Sequence, residues 1–222
     1  STKEPETLKW IEEYGTNGSV LFDIGANIGQ YSIYHSLLNK GNSVAFEPSL
    51  FNVKQLAKNI NANKMEDKVI IITNPLSINC GILPFKASTT REGDARNAFG
   101  VNYGQNGTDI KTIISSQILG FSLDTLIEMK FINKPNLIKL DVDGIEHLIL
   151  EGAKNTLLFD GLKTVLVEVN DNFHQQALVL VLYILLLILY HTKNGFSFGN
   201  IYQSWYKMCD PYNLAIRLLN NS

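Results

Sequence analysis

Two groups of residues in this chain have the types and spacing to do chemistry. The first is Asp23, Gly25, Asn27 and Gly29 in VLFDIGANIGQYSIY, joined by Glu47 in SVAFEPS. Val20 to Ile24 reads as a short buried strand and Gln30 to about Leu38 as a helix, so the glycines fall in a tight turn between them. Glycines there let the backbone come close to a ligand and leave the first helical N–H groups facing it. Asp23 adds a carboxylate at the strand end, where a parallel sheet opens towards its ligands. Glu47 ends the next apolar run, where it could accept hydrogen bonds from a pair of ribose hydroxyls. Together these residues read as a nucleoside site.

The second group is Lys139, Asp141 and Asp143 in IKLDVDGIEHL, with Glu168 in LVEVN. On a strand, positions 139, 141 and 143 share one face, and a buried row of three charges is costly unless the strand end opens into a site. A carboxylate held within about 2.6–3.2 Å of an acceptor hydroxyl could take its proton. Asp141 is the first candidate for that base, with Lys139 behind it to orient the acceptor or favour the ionised aspartate, and Glu168 delivered to the same edge. The alternative is that Asp141 holds the amino group of a cofactor and that the base is His147 or lies in the 91–117 loop.

The glycine turn discriminates among nucleotides. A phosphate-binding loop needs Lys followed by Ser or Thr, but Gln30 and Tyr31 follow Gly29. A dinucleotide loop reads G-x-G-x-x-G, whereas Asn27 stands at the middle position here. Asp23 would repel a pyrophosphate and attract the ammonium of an amino acid. S-Adenosylmethionine carries both a ribose and such an ammonium, and suits these residues best. The plainer reading is a glycine-rich turn with Asp23 capping the helix 28–38. Asp141, Glu146 and Glu168 raise Mg²⁺ as an option, because carboxylates on adjacent strand ends bind hard cations. The metal is not favoured, and no metal ligands are assigned; His35, His147, His174 and His191 lack close ligand spacing.

These residues need a scaffold that brings strand ends together. Residues 3–14 form an amphipathic helix, in an N-terminal segment 1–17, that leads into the strand at Val20. Ser43 to Phe46 is a second strand, a helix begins at Pro48, and Lys68 to Thr73 is a third strand. The order is βαβαβ with apolar runs that barely alternate, which predicts an α/β domain with a doubly wound, mostly parallel sheet and helices on both faces. Ser122 signals a helix start, with Asp124 in its first turn. Asn136 to Val142 is a core strand, Ile145 to Leu158 a helix and Lys163 to Val169 another strand. Between them the stretch about 88–117 is polar and rich in Gly and Asn, and is expected to be a lid or acceptor-binding loop with Arg91, Arg96 and Asn102 available to grip an acceptor.

The 222 residues fit a single domain, and a formal charge of −2 without a long basic run makes nucleic acid a poor partner. Cys80 and Cys209 are too far apart to suggest a disulfide framework or a cysteine zinc site, which fits a reducing cytoplasmic setting. STKEPETLKW contains no apolar run resembling a signal peptide. Ala177 to Tyr190 is continuously apolar, and as a helix spans about 21 Å against a hydrocarbon thickness of ~30 Å. A buried core helix, a homodimer surface and a peripheral membrane contact remain open for it.

The blocks EPETLKWIEEY, FDIGANIGQYSIY, VAFEPSLFNVKQLAKNIN, SLDTLIE, IKLDVDGIEHLILEGA and LVEVN, in that order, resemble the FkbM family of S-adenosylmethionine-dependent methyltransferases. The resemblance implies a class I methyltransferase fold, with a seven-stranded sheet whose last strand is antiparallel. It implies that Asp23, Gly25, Asn27 and Gly29 surround the methionine end of the cofactor and that Glu47 holds the ribose. Asn74 and Ser77 in TNPLS resemble the adenine-side segment, although Ile78 replaces the acidic residue that usually follows. Asp143 likewise stands where the family writes Glu. The resemblance points to methylation of a hydroxyl on a sugar, glycan or small natural product; methylation of nitrogen or of a macromolecule, or a non-catalytic domain that keeps the fold, are the rivals.

Overall fold

The apolar runs become strands in the computed structural model, which describes residues 4–168 apart from 95, 105 and 106. Helix α1 (Pro5–Tyr14) leads into β1 (Val20–Ile24), α2 (Gln30–Asn39), β2 (Asn42–Phe46), α3 (Leu50–Ala62) and β3 (Val69–Ile72). Three strands follow, β4 (Gly81–Ala87), β5 (Asn97–Phe99) and β6 (Ile114–Gly120). The chain then forms α4 (Leu123–Glu128), β7 (Leu137–Leu140), α5 (Glu146–Glu151), α6 (Lys154–Leu157) and β8 (Thr164–Val167). The main sheet has the order β3-β2-β1-β7-β8, and every pairing in it is parallel. Strand order reverses at β1, whose neighbours are β2 and β7. Ligands bind at such switch points, outside the carboxyl ends of the strands.

Alternation along each strand feeds two cores. Phe22, Ile24, Ile138 and Leu140 pack with Phe46, Phe85, Phe99 and Ile149 in one. Leu21 and Leu137 meet Trp10, Ile11 and Tyr31 in the other. Each large side chain removed from water contributes about 1.5–3 kcal/mol. Trp10 also donates from Nε1 to Thr164 Oγ1 at 3.2 Å, which ties α1 to β8.

Several expectations are corrected in detail. The stretch 88–117 is not strand-free: β5 and the start of β6 lie in it and pair with β4 in a second, antiparallel sheet of order β5-β4-β6. Register sets Phe99 opposite Phe85, so two buried aromatics hold this short strand in place. The single helix expected over 145–158 is two, broken at Gly152. A Cβ there would lie 2.3 Å from the Ser77 carbonyl oxygen. Asp124 lies in the first turn of α4 as expected, and it also accepts from the Asn155 and Thr156 N–H groups at 2.8 Å and so caps α6. Ser122 caps α4 as expected, accepting from Thr125 N at 3.2 Å. The described residues give five parallel strands. The run 177–190 and the last two strands expected, at 196–201 and 214–218, lie outside the described residues. Among the described residues no helix is long and apolar enough to cross a membrane.

Candidate active site

At the switch point the turn after β1 folds against the end of β2. The Gly25 and Ala26 N–H groups both donate to the Phe46 carbonyl oxygen at 3.0 Å. That aims the Asn27 N–H at Glu47 Oε2, 2.9 Å away, while Ser49 N donates to Oε1 at 2.9 Å. Glu47 is 4% exposed, and burial pushes its carboxyl up to about 7 against the pull of those bonds. Gly25 has φ +84°, and a Cβ on it would fall 1.8 Å from the Asp141 carbonyl oxygen, so β1 and β7 can end side by side only with glycine here. These strand ends line a cavity of about 410 Å³ that is also walled by Leu76, Phe85 and Phe99.

Farther along the cavity the charged group assembles from the register of β1, β7 and β8. Asp23 is the register partner of Lys139, so the two side chains lie on the same face, with Nζ 3.9 Å from Asp23 Oδ1. Lys139 Nζ reaches Asp141 Oδ2 at 2.7 Å and lies over the Tyr31 ring, 5.1 Å from its centre. The ammonium is 3% exposed. Burial works against its charge, but Asp141 and Asp23 outweigh burial and hold its pKa above the usual lysine value. Glu168 follows β8 and is hydrogen-bonded to Asp141. That bond first, and burial second, push its carboxyl up to about 9. At neutral pH the two carboxyls therefore hold one proton and one negative charge between them, beside the Lys139 ammonium.

Of the residues singled out from sequence, Gly25, Asn27, Glu47, Asn74, Lys139, Asp141, Asp143 and Glu168 line the cavity. Asp23, Gly29, Ser77 and His147 do not. Asp23 is fully buried beneath α2, where its Oδ2 accepts from Ser32 N at 3.0 Å and Ser32 Oγ at 2.7 Å. Its Oδ2 meets α2 while its buried Oδ1 makes no hydrogen bond and lies 3.9 Å from Lys139 Nζ, because its place in the strand turns the carboxylate towards the α2 face. Gly29, at φ +86°, makes room for Leu56. Ser77 is held by its backbone, its N–H donating to Phe121 O. The His147 ring is half-buried outside the cavity, with its pKa pushed down by burial. Arg96 pairs with Asp94 at 2.7 Å and Asn102 accepts from Lys86, so neither is aimed at the cavity.

Glu146 turns its carboxylate back onto the Val142 N–H at 3.1 Å, and burial pushes it up to about 8; it braces the DVDG turn. Among the described residues no three His, Cys, Asp or Glu side chains converge as a metal set. Sequence reasoning missed Glu4, Tyr31 and Asn52, which also line the cavity. Tyr31, at the start of α2, donates to Glu4 at 2.8 Å. Asn52 had a signal, since it stands in the first turn of a helix that leaves the strand carrying Glu47.

A doubly wound α/β domain with a carboxylate-and-glycine cradle at the switch point has the form of a class I methyltransferase fold. The chain matches the methyltransferase FkbM domain over residues 23–202 and belongs to that family. It is 30% identical over 168 residues to the hexuronic acid methyltransferase AglP of Haloferax volcanii, covering 75% of this chain and 62% of that protein. The chain thus spans less than two thirds of that relative's length. Among solved structures it is similar to a precorrin-6Y C5,15-methyltransferase from Geobacter metallireducens, with 13% identity, TM-score 0.49 and coverage of 82% of this chain and 72% of the other. It is also similar to an rRNA methylase from Streptococcus thermophilus, with 12% identity, TM-score 0.47 and coverage of 82% and 81%.

Proposed function

We propose that this chain is an S-adenosylmethionine-dependent methyltransferase acting on a hydroxyl of a sugar, glycan or small natural product. One observation carries the reading: a single cavity is lined by both the Asn27–Glu47 cradle and the Asp141–Glu168 carboxyl pair. The residues fit the cofactor. The cavity volume of about 410 Å³ lies within the roughly 300–1,000 Å³ of small-molecule sites. Glu47, which already meets Asn27, Ser49 and Asn52, keeps acceptor capacity for a ribose hydroxyl, and Leu76, Phe85 and Phe99 suit a flat base. The charge on Asp141 suits a ligand that carries positive charge. When bound, S-adenosylmethionine supplies an electrophilic methyl group on sulfur.

The chain itself orients the acceptor and manages its proton. As the acceptor oxygen takes up the methyl group, its proton passes to the negatively charged Asp141–Glu168 pair, with Asp141 the first acceptor. Lys139 is buried and bound to Asp141, so its part is to hold the aspartate ionised rather than to grip the acceptor. This donor set does not favour Mg²⁺, because Lys139 occupies one Asp141 oxygen and Glu146 faces backbone N–H groups. The segment about 88–117 lines the cavity through Gly93 and Asn97 to Phe99, which supports a lid or acceptor-binding role for it. The hexuronic acid methyltransferase among the relatives supports a carbohydrate acceptor.

The test is incubation of the purified protein with methyl-labelled S-adenosylmethionine and a panel of sugars, glycans, small hydroxylated molecules, proteins and nucleic acids, with Mg²⁺ or a chelator. Label on a carbohydrate or small-molecule hydroxyl is the expected result. Label on nitrogen, protein or nucleic acid would overturn the substrate class and leave the cofactor reading intact. Absence of S-adenosylhomocysteine binding in calorimetry would overturn the cofactor reading itself.

A further inference from the structure

Asn52 is 1% exposed and spends its whole side-chain amide on joining two parts of the site. Its Oδ1 accepts from Gly93 N at 2.8 Å, and its Nδ2 donates to the Asp94 carbonyl oxygen at 3.0 Å. The same side chain is hydrogen-bonded to the Glu47 carboxylate. A primary amide offers two N–H donors and one carbonyl oxygen, so these three bonds use both of its hydrogens and its acceptor. The turn it grips is fastened elsewhere too. Asn27 Nδ2 donates to the Gly93 carbonyl oxygen at 3.2 Å, and Lys54 on α3 pairs with Glu92 at 2.8 Å. Asn27 and Asn52 therefore each touch both Glu47 and Gly93.

We propose that Asn52 is a positioning residue that couples the Glu47 carboxylate to the turn 91–94, making that turn a cover of the nucleoside end that docks together with the cofactor. The physical reason lies in the geometry of the amide. Asn52 can satisfy Glu47, Gly93 and Asp94 at once only when the carboxylate and the turn hold their present positions, because an unmet buried donor or acceptor is costly. A ligand that fixes Glu47 through its hydroxyls therefore favours the docked turn, and the docked turn favours the ligand-ready carboxylate. Gly93, at φ +77°, lets the chain present its N–H to Asn52 and its carbonyl to Asn27 from one residue. The inference rests on the proposed nucleoside role of Glu47.

The probe is S-adenosylhomocysteine. Amide hydrogen exchange of peptides covering 91–94 and calorimetric affinity are measured on wild type, Asn52→Ala and Gly93→Ala, with thermal melts to establish folding. In wild type the ligand should slow exchange across 91–94 by tenfold or more. In Asn52→Ala the affinity should fall by roughly tenfold and the ligand-induced protection of the turn should disappear. Gly93→Ala perturbs the turn at the surface by its positive φ, and should lose protection in the same way even if the Asn52 variant fails to fold. Binding to wild type with unchanged exchange at 91–94 would overturn the cover, and persistent protection in folded Asn52→Ala or in Gly93→Ala would overturn the coupling. A wild-type protein that binds no S-adenosylhomocysteine at all would instead overturn the cofactor reading beneath it.

Discussion

Replacing Asp141 with Asn tests the charged end of the cavity most directly, because it nearly keeps the shape and removes the charge. Lys139 would lose a partner at 2.7 Å and retain Asp23, at 3.9 Å, with Glu4 and Glu168 also acting on its charge. Removing one partner of a fully buried pair costs about 3–5 kcal/mol. Two features reduce that figure here. Asp141 is 29% exposed, so water already screens it, and Asn offers Lys139 a neutral carbonyl oxygen in place of the carboxylate. We expect a loss of about 2 kcal/mol, which in a chain of this size lowers Tm by roughly 4–8 °C. The substitution also removes the bond that contributes most to raising Glu168, so that carboxyl should fall from about 9 towards the ordinary glutamate range. Turnover on a hydroxyl acceptor should drop roughly 10²–10⁴-fold, with S-adenosylhomocysteine affinity within a few-fold of wild type, since the Glu47 cradle is untouched. Urea unfolding, calorimetry and single-turnover label transfer measure the three effects separately. Collapse of ligand binding would mean that Asp141 holds the cofactor, and unchanged turnover would mean that the acceptor's proton goes elsewhere.

Cofactor affinity should depend on pH through Glu47. Its carboxyl titrates near 7, so lowering the pH through that value adds a proton and removes an acceptor for the ribose; affinity should be flat above about pH 8 and weaken by up to roughly tenfold per unit below pH 7. Glu47→Gln should bind roughly tenfold more weakly at pH 8 and lose the step near 7, whereas a wild-type curve flat from about pH 5.5 to 8.5 would remove Glu47 from the ribose. Gly25→Ala should destabilise the fold by more than about 3 kcal/mol, because its methyl would have to displace the Asp141 carbonyl at a positive φ. An urea midpoint equal to wild type would show that the β1 and β7 ends separate freely.

Strand bounds were legible where burial on both faces leaves a continuous apolar run, and Val20–Ile24 is found as read. β5 escaped because three residues in a Gly- and Asn-rich stretch carry no period, and only their pairing with Phe85 to Ala87 of β4 identifies them as a strand. The helix break at Gly152 depends on the approach of the Ser77 carbonyl, a contact between distant parts of the chain. The candidate site divides along the same line. Residue types at strand ends could be read from the run that precedes them, and this located Glu47, Lys139, Asp141 and Glu168. Direction could not, because it depends on which strands are neighbours. Once β1 lies beside β7, Asp23 and Lys139 are register partners on one face, and the acidic residue nearest the glycine turn faces the lysine and Ser32. The row of charges at 139, 141 and 143 is divided by the same geometry. All three line the cavity, but Lys139 and Asp141 pair with each other, while Asp143, beyond the strand end, accepts from the Asn97 N–H of β5 at 2.7 Å. Asp23 and Asp143 thus act as struts, one beneath the sheet and one to the second sheet. Asp141 and Glu168 remain as the carboxyl pair that faces the cavity with a charge to use.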